Sequence, residues 1–462
     1  MSEGKEVSQR MNRPSKDFYK NVYQIALPVT LQSLIMALFT LADQLMVGQL
    51  GEVAIASVGM AGKIYAVISV VLAGLAAGVS IYVAQFWGKR DGKNISRLLG
   101  IGLMAGFTLS FLFTLLVFLN PQLCLGVFTT DKRVIGEGGV FLQIVSLSYV
   151  PVMLTMLYSA VLRSTTHVKL PMSVSLFAVG LNILLNYMLI FGKWSFPELG
   201  LEGAAIATSL SRAVECVMIV GAVYLFKLPG RARFGDLFEG SGVLLKNFIK
   251  TTYPIVLTEL IWVLGETVYA VIYSRMGTTE MTAMTITFPL QGICIGLLSG
   301  LSGAGGVMVG NKLGAGEEET AMQYALRFLK LGTIVSVAVG LLIAAISPWY
   351  VSAFNLSGEA HRLGVYLVWV FAAFLWAKVG NMIMAGGILN SGGDSKFVFV
   401  MESAATWLIG VPSGLILSFV FKQPIYLVYF ALSLEEVVRF GFGIARIRSR
   451  KWLRNLVHDI AA

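Results

Sequence analysis

The sequence predicts an all-α, polytopic membrane protein. Its twelve transmembrane helices are expected to form two six-helix lobes, related by a pseudo-twofold axis along the membrane normal. Three observations predict this fold class: few charged residues, twelve long apolar segments and an internal repeat. Of the 462 residues, 56% are hydrophobic and only 13% are charged, whereas a soluble protein carries about 25% charged residues. The composition therefore indicates a chain that lies mostly within a lipid bilayer.

Twelve apolar segments are each long enough to cross about 30 Å of hydrocarbon as a helix. Shorter stretches that are polar or rich in glycine separate them and predict the connections. The predicted spans lie near residues 20–47, 53–83, 97–119, 138–162, 170–192, 200–226, 247–276, 281–311, 323–348, 361–389, 396–420 and 424–445.

The positions of lysine and arginine predict how these spans are oriented, because cytoplasmic connections carry an excess of both residues. With the N-terminus inside, the inside connections carry 24 of the 35 Lys and Arg, the outside connections carry six, and five lie within spans. Both termini are therefore predicted to be cytoplasmic, in a plasma-membrane protein. The net charge of +10 follows from this topology, so nucleic acid is not expected as a partner. Residues 1–20 lack the apolar core of a signal peptide, and the first span is expected to serve as its own signal.

An internal repeat divides the chain into two halves. At an offset of 226 residues, Pro28 falls on Pro254 and Gly88 falls on Gly314. Because each half has six spans, both halves insert in the same orientation, and carriers built from such repeats place their binding site between them. The predicted regions are a cytoplasmic N-terminal segment (1–20), an N-terminal lobe (21–226), a cytoplasmic connection (227–247), a C-terminal lobe (248–446) and a cytoplasmic tail (447–462).

The number and the spacing of cysteine, histidine and serine residues exclude several kinds of site. The three cysteines and three histidines lie far apart, which excludes a disulfide framework and a zinc site. No cluster of His, Cys or Ser residues suggests a catalytic centre, so the protein is not expected to be an enzyme. The glycine-rich stretch SGLSGAGG (Ser299–Gly306) lacks the Lys-Ser/Thr of a phosphate-binding loop. We expect close helix packing there, no cofactor and no direct use of ATP.

Seven short motifs occur in order across both halves. They are LADQLMVGQLG in span 1, AQFWGK after span 2, LNILLNYMLIFG (Leu181–Gly192), GLEGAAIATSLSR (Gly200–Arg212), YPIVLTELIW (Tyr253–Trp262), VGNKLGAG and GILNSGGDSKF (Gly387–Phe397). Together they resemble the multidrug and toxic compound extrusion (MATE) transporters, prokaryotic branch. The resemblance implies a V-shaped bundle of two six-helix lobes that exports substrates by antiport of protons or sodium ions.

Span 1 carries a carboxylate, Asp43, about 8 Å from its outer end. A carboxylate at a bilayer centre costs about 2.5–3.5 kcal/mol, so such residues are usually functional or paired. Asn182 and Asn186 are four residues apart and share one face of span 5, and Thr208 lies at a similar depth in span 6. The resemblance implies that these four residues form the cation-coupling site of the N-terminal lobe. The alternative is that they are hydrogen-bonding groups between helices.

The coupling ion is expected to be H⁺ rather than Na⁺. Related members of the branch can have Asp where this chain has Asn186, and the missing second carboxylate argues against a strong sodium cage. Na⁺ at Asp43, Asn182, Asn186 and Thr208 is the alternative, because one carboxylate with several neutral oxygens would balance its charge. No other metal site is expected.

Span 7 carries two further acids, Glu259 and Glu266, which are two helical turns apart and therefore share a face. We expect a substrate-binding site or a second cation site at these residues, and the resemblance also implies a functional carboxylate in span 7. The alternative is that one of them forms a salt bridge with Lys378 in span 10.

Two other pairs of charged residues lie at helical spacing within single spans. Arg212 and Glu215 are three residues apart, and Glu435 and Arg439 are four apart. Residues at these separations are neighbours on a helix surface. Both pairs are therefore expected to be ion pairs within their own helices.

The predicted function is ion-coupled antiport that exports amphipathic, cationic organic compounds by alternating access. Carboxylates and aromatic faces stabilise a desolvated cation, and the second half is rich in acids. The expected partners are small-molecule organic cations and the lipid bilayer, and the protein is expected to be a monomer. The alternative is a flippase or exporter of a lipid-linked or anionic metabolite. Such a cavity would need a lining of Lys and Arg, whereas only five of these residues lie within spans.

Overall fold

The computed structural model describes residues 16–232, 235, 242–354 and 356–458. Within these residues every regular element is helical, which confirms the all-α prediction. The helices of the first half are α1 (Lys16–Gly48), α2 (Glu52–Lys89), α3 (Gly92–Leu119), α4 (Pro121–Gly126), α5 (Lys132–Ser146), α6 (Tyr149–Ser164), α7 (Lys169–Phe191) and α8 (Gly200–Leu225).

The second half begins with four long helices and one short helix of eight residues, and it ends with helices that π-turns interrupt. A π-turn holds one residue more than the α-turn it replaces. The elements are α9 (Gly242–Met276), α10 (Thr278–Thr285), α11 (Thr287–Gly314), α12 (Glu318–Ser352), α13 (Gly358–Met382), a π-turn (Ile383–Leu389), a 3₁₀ turn (Asn390–Gly392), α14 (Ser395–Ala404), a π-turn (Ala405–Gly410), α15 (Val411–Leu415), a π-turn (Ile416–Val420) and α16 (Ile425–Arg448).

Nine helical segments of the described chain are long and apolar enough to cross a membrane, and the bent pair α5 and α6 would be a tenth. All twelve predicted spans fall on helical segments. The count of twelve membrane crossings, however, stays a prediction. The predicted spans 138–162 and 281–311 are not continuous helices. The first is broken between Ser146 and Tyr149 with a bend of 44°, and the second is interrupted at Ile286.

Three of the predicted region boundaries fall inside helices, and the one at residues 226 and 227 follows the end of α8. α1 begins at Lys16 and α9 begins at Gly242, each several residues before the start predicted for its lobe. Residues 1–15 of the N-terminal segment, most of 233–241 in the connection and residues 459–462 of the tail lie outside the described residues. The division into these regions therefore stays a prediction.

Buried apolar side chains form two separate clusters. One contains mostly residues of α9 to α16, and the other contains mostly residues of α1 to α8. The start of α1 is an exception, because Phe18, Val22 and Ile25 belong to the cluster of the second half. α1 thus packs on the second half at its beginning and contacts α7 of the first half as well.

Glycines bring the two halves close together at one end of the bundle. A Cβ atom on Gly88 would clash with the carbonyl oxygen of Asn311, and one on Gly314 would clash with the carbonyl oxygen of Gln85. The 226-residue offset relates these two contacts, since Gly88 corresponds to Gly314 and Gln85 to Asn311. The backbones of α2 and α11 approach closely because no side chain separates them.

A second pair of contacts follows the same offset further along the helices. A Cβ atom on Gly74 would clash with Val256, and one on Gly300 would clash with Thr30. Gly74 corresponds to Gly300, and Thr30 corresponds to Val256. The Thr30 hydroxyl also donates to the Leu297 carbonyl oxygen at 3.0 Å, so the halves are joined by hydrogen bonds as well as by close packing.

Candidate functional site

Asp43 lies at one end of a chain of neutral polar side chains in the first half. The Asn186 amide nitrogen donates to Asp43 Oδ1 at 2.8 Å and to Asn182 Oδ1 at 2.8 Å. Asp43 is half-buried, whereas both asparagines are buried. The structure therefore brings together Asp43 of α1 and the two asparagines of α7, which share one face as their spacing predicts.

The chain continues from α7 to α8. The Asn182 amide nitrogen donates to the Ser211 hydroxyl at 3.0 Å and lies 3.5 Å from the Thr208 hydroxyl. Thr208 is thus at the edge of hydrogen-bond range, and Ser211 is the closer partner. Sequence reasoning did not single out Ser211. Its position three residues after Thr208 places it on the same helix face, and that spacing is the signal that could have found it.

A second polar chain joins the same three helices at another level. The Gln32 amide nitrogen of α1 donates to the Ser175 hydroxyl of α7 at 2.9 Å, and Ser175 donates to Glu215 Oε1 of α8 at 2.7 Å. Arg212 pairs with Glu215 at 2.8 Å, which confirms the predicted pair. The Arg212 guanidinium lies 5.9 Å from the centre of the Phe39 ring. Arg212 is also close enough to interact electrostatically with Asp43, so the first half contains one cation near its carboxylate.

Asn186 makes both of its hydrogen bonds through its amide nitrogen. Asp43 Oδ1 is the acceptor in one of them, and Asn182 Oδ1 is the acceptor in the other. The Asn186 side-chain oxygen is buried and has no hydrogen-bond partner among the described residues. Buried polar atoms are normally paired. The site therefore contains a free acceptor that a proton donor or a cation can engage.

The second half contains a network of charged side chains in place of this neutral chain. Glu436 Oε1 lies 3.2 Å from Lys378 Nζ, and Glu436 Oε2 accepts from the Asn381 amide nitrogen at 2.8 Å and lies 3.7 Å from Arg439. The predicted alternative that Lys378 pairs with Glu259 or Glu266 is therefore wrong. Its partner lies 58 residues away in α16, which residue spacing within a helix cannot reveal.

Glu435 completes the network. It accepts from the Tyr269 hydroxyl at 2.7 Å and pairs with Arg439 at 3.1 Å, which confirms the predicted pair. Arg439 also donates to the Thr406 hydroxyl. Glu435, Glu436 and Arg439 are all buried. Removing a charge from water is costly unless partners and hydrogen bonds replace the solvent, and here each of the three charges has such partners.

A small cavity opens beside this network, with a volume of about 80 Å³. Glu266 lines it, whereas Glu259 is not among its lining residues. The Glu266 side chain is exposed, and Glu259 is half-buried. Although both acids lie on one side of α9, only Glu266 faces this cavity. The lining consists of Glu266, Tyr269, Ala270, Tyr273, Met284, Phe288, Gln291, Lys378, Tyr429, Leu432, Ser433, Glu435 and Glu436.

Aromatic rings form much of the cavity wall. The Tyr273 and Tyr429 rings contact each other edge to face, with 6.3 Å between their centres, and the Tyr429 hydroxyl lies 3.4 Å from Gln291. Glu266 has no ion-pair partner among the described residues, in contrast to Glu435 and Glu436. Aromatic faces with an unpaired carboxylate are the groups that stabilise an organic cation.

The described residues include no group of three or more His, Cys, Asp or Glu side chains placed to hold a metal ion. The oxygens that a monovalent cation could use in the first half are those of Asp43, Asn182, Asn186, Ser211 and Thr208. Most of these oxygens already take part in hydrogen bonds within the described residues, whereas the buried side-chain oxygen of Asn186 does not. What this site can do chemically is to exchange one proton or one small cation at Asp43.

The family model described as MatE matches this chain twice, over residues 28–188 and 254–416. The two matches start 226 residues apart, which is the offset of the internal repeat. Similar relatives include an uncharacterized transporter, YisQ, of Bacillus subtilis, with 22% identity over 97% of this chain and 98% of the relative. A probable multidrug resistance protein, NorM, of Thermotoga maritima has 22% identity over 95% and 94% of the two chains.

Solved structures share the fold. A MATE transporter in the bent conformation superposes with a TM-score of 0.85 at 19% identity, covering 95% of this chain and 99% of that chain. The outward-facing conformation of a multidrug resistance MATE transporter gives a TM-score of 0.83 at 19% identity, covering 95% and 100%. With the family model matched over more than half of the sequence, this chain belongs to the MATE family of membrane transporters.

Proposed function

We propose that the protein is a proton-coupled antiporter that exports amphipathic organic cations by alternating access. The observation that carries the proposal is the placement of Asp43, a carboxylate in the membrane-spanning bundle whose hydrogen-bond partner is a neutral amide. Similar relatives that are named probable multidrug resistance proteins support small organic compounds as substrates. Na⁺ in place of H⁺ is the second possibility at the same residues.

Twelve spans in two lobes form the proposed architecture. Two features support it: the two matches of one family model, and the paired contacts that the 226-residue offset relates. Ala84 lies against Gly310, and these two residues correspond to each other at the same offset. A residue that contacts its own counterpart lies beside a twofold axis, so the proposed axis passes between α2 and α11 at this point.

Alternating access requires that the two ends of the bundle open in turn. The close contacts between the halves at Gly88 and Gly314 lie at the end whose connections are rich in Lys and Arg, which topology predicts to be cytoplasmic. Asp43 lies near the opposite end of α1. In the proposed cycle this conformation is closed inside, and Asp43 takes up a proton from outside while the substrate leaves.

Proton uptake would change the hydrogen bonds around Asn186. A protonated Asp43 becomes a donor and needs an acceptor, whereas Asn186 now presents its amide nitrogen. If Asn186 turned its amide by half a rotation, its oxygen, free in this structure, would face Asp43. Asn182 would then donate to Asn186, and its contact with Ser211 would reverse. The proposed coupling step is this reversal of donor and acceptor in the hydrogen bonds that connect α1, α7 and α8.

The cavity beside Glu266 is the proposed binding site for the charged group of the substrate. Glu266 and the rings of Tyr273 and Tyr429 supply the negative charge and aromatic faces that favour a cation. Its volume of about 80 Å³ suits a small ammonium group, with the apolar body of the substrate lying between the lobes. Glu259 is proposed to act only indirectly, because it does not line the cavity.

The test of the proposed function is transport by purified protein in proteoliposomes. An organic cation on the inside is expected to drive proton movement that is measurable with a pH-sensitive dye, and varying Na⁺ at fixed pH should change nothing. Strict dependence on Na⁺ would overturn the choice of ion. Stimulation by anionic or lipid-linked compounds alone would favour the alternative of a flippase or anion exporter.

Orientation in the membrane is tested by labelling with an impermeant thiol reagent. In a background without Cys124, Cys216 and Cys294, Lys193→Cys is expected to react in intact cells and Gly235→Cys is expected not to react. The reverse pattern would overturn the proposal that both termini are cytoplasmic.

A further inference from the structure

The segment that follows the last helix connects the two halves. Residues 449–458, here named the C-terminal segment, leave α16 in the second half and reach the first. Trp452 is completely buried in the apolar cluster of the second half, and Val457 is completely buried in that of the first half. A stretch of ten residues thus places one anchor in each half of the bundle.

Gln85 of α2 is the main polar contact of this segment. Its amide nitrogen donates to the Arg454 carbonyl oxygen at 3.1 Å and to the Ser391 carbonyl oxygen at 2.7 Å, and its side-chain oxygen accepts from the Leu456 backbone nitrogen at 2.7 Å. Gln85 is completely buried. One side chain of the first half therefore binds both the C-terminal segment and the turn after α13 in the second half.

Other contacts fix the segment on both sides. Lys89 of α2 donates to the Val457 carbonyl oxygen at 2.9 Å. On the second half, Asp394 is buried and binds Arg446 through two hydrogen bonds of 2.6 and 2.9 Å, with Arg454 at 3.8 Å. A Cβ atom on Gly392 would clash with the Trp452 carbonyl oxygen, so only glycine allows this approach.

The counterpart of Gln85 in the repeat lacks these contacts. Asn311 corresponds to Gln85 at the 226-residue offset. Its side-chain oxygen is buried without a hydrogen-bond partner among the described residues, and it lines an open cavity of about 280 Å³. Gln85 and Asn311 therefore occupy equivalent positions in the two halves but differ in their partners. The C-terminal segment binds Gln85 and does not hydrogen-bond to the side-chain oxygen of Asn311.

We propose that the C-terminal segment is a latch that holds this end of the bundle closed, with Gln85 as its receptor in the first half. The inference rests on alternating access, because opening this end must separate Gln85 from Ser391 and release Val457 from the first half. The segment remains attached to α16 while its contacts with α2 break. The C-terminal segment would then control the opening of this end through Gln85 of the first half, and the equivalent position in the second half, Asn311, would have no such role.

A thiol placed at the interface measures opening directly. Thr252 is buried against Gly78 where the halves meet, so Thr252→Cys in a cysteine-free background is expected to react only when this end opens. The protein is held in lipid nanodiscs, where the reagent reaches both faces. Because this readout needs no substrate and no ion gradient, it does not depend on whether the proposed coupling is correct.

Adding Gln85→Ala is expected to raise the labelling rate of Thr252→Cys about tenfold, since it removes three hydrogen bonds to the closed state. Asn311→Ala is the matched control and is expected to change the rate less than about twofold, because no hydrogen bond joins its side chain to the segment within the described residues. Equal rates in the two variants would overturn the latch.

A reversible crosslink provides a second measurement that does not remove Gln85. Lys89→Cys and His458→Cys, at two exposed positions beside the contact between Lys89 and Val457, are joined by a short bifunctional reagent containing a disulfide. Crosslinking is expected to abolish transport, and reduction of the reagent is expected to restore it. Transport by the crosslinked protein at the rate of the uncrosslinked protein would show that the segment does not need to release.

Discussion

The two halves of the molecule surround the carboxylates of their candidate sites with different kinds of partner. In the first half, Asp43 is bound by a chain of neutral amides and hydroxyls through Asn186 and Asn182. In the second half, Glu435 and Glu436 are bound by Lys378 and Arg439. A carboxylate with neutral partners can change its protonation without leaving a buried charge unpaired. A carboxylate paired with fixed cations cannot do so.

This difference suits the two halves to different tasks, which are ion exchange in the first half and the fixing of helices in the second. A neutral hydrogen bond contributes about 0.5–1.5 kcal/mol, so a rearrangement among such bonds is inexpensive. Breaking a buried ion pair by removing one partner costs about 3–5 kcal/mol. The first half is therefore suited to cycles of ion binding, and the paired acids of the second half are suited to fixing α13 against α16.

The largest expected effect tests the anchoring role. Glu436→Gln removes the charge that Lys378 and Arg439 share, and it is expected to lower the free energy of unfolding by about 3–5 kcal/mol, because Lys378 loses its ion-pair partner and Arg439 keeps only Glu435. The measurement is thermal unfolding in detergent. Asp43→Asn is the matched control and is expected to alter stability by less than about 1 kcal/mol. Equal losses in the two variants would remove the distinction between the halves.

The next effect concerns transport. Asp43→Asn is expected to abolish proton-driven export while most of the substrate affinity survives, since the variant cannot take up a proton. Export under an imposed pH gradient and equilibrium binding are measured on the same preparation. Export at the normal rate would exclude Asp43 as the coupling residue.

A smaller effect is expected at the cavity of the second half. Glu266→Gln should weaken the binding of a cationic substrate about tenfold, which is about 1.4 kcal/mol, and should leave a neutral analogue of the same shape unchanged. Glu259→Gln is the matched control on the same helix and should have a smaller effect, because Glu259 does not line the cavity. An equal loss for the cationic and the neutral compound would favour a packing role for Glu266.

The smallest effect is expected from a substitution that makes the site of the first half more like a sodium site. Asn186→Asp adds a second carboxylate beside Asp43, and two carboxylates with the hydroxyls of Ser211 and Thr208 form a more favourable oxygen cage for a cation. Transport by this variant at fixed pH is expected to gain a measurable dependence on Na⁺. Transport that stays independent of Na⁺ would indicate that the number of carboxylates does not select the ion.

The helices and one part of the candidate site could be predicted because their signals are local. Apolar length predicts the spans, and a spacing of four residues predicts that Asn182 and Asn186 share a face. The same rule predicts that Glu435 pairs with Arg439. The pairing of Lys378 with Glu436 could not be predicted, because it depends on how α13 and α16 pack.

The break near Tyr149 was missed although a signal was available. Pro151 lies two residues into α6, and proline favours the first turn of a helix. Treating residues 138–162 as one apolar run concealed this start. The π-turns gave no comparable signal, since they depend on one extra residue within a continuous apolar sequence.

The three π-turns have a consequence for how the length of this chain can vary. In an ordinary α-helix, deleting one residue turns every later side chain by about 100° around the axis, which moves buried residues into lipid. Within Ile383–Leu389, Ala405–Gly410 or Ile416–Val420, the same deletion would leave an α-turn and keep the later residues on their original faces. These three places are therefore where we expect the second half to tolerate the loss of one residue.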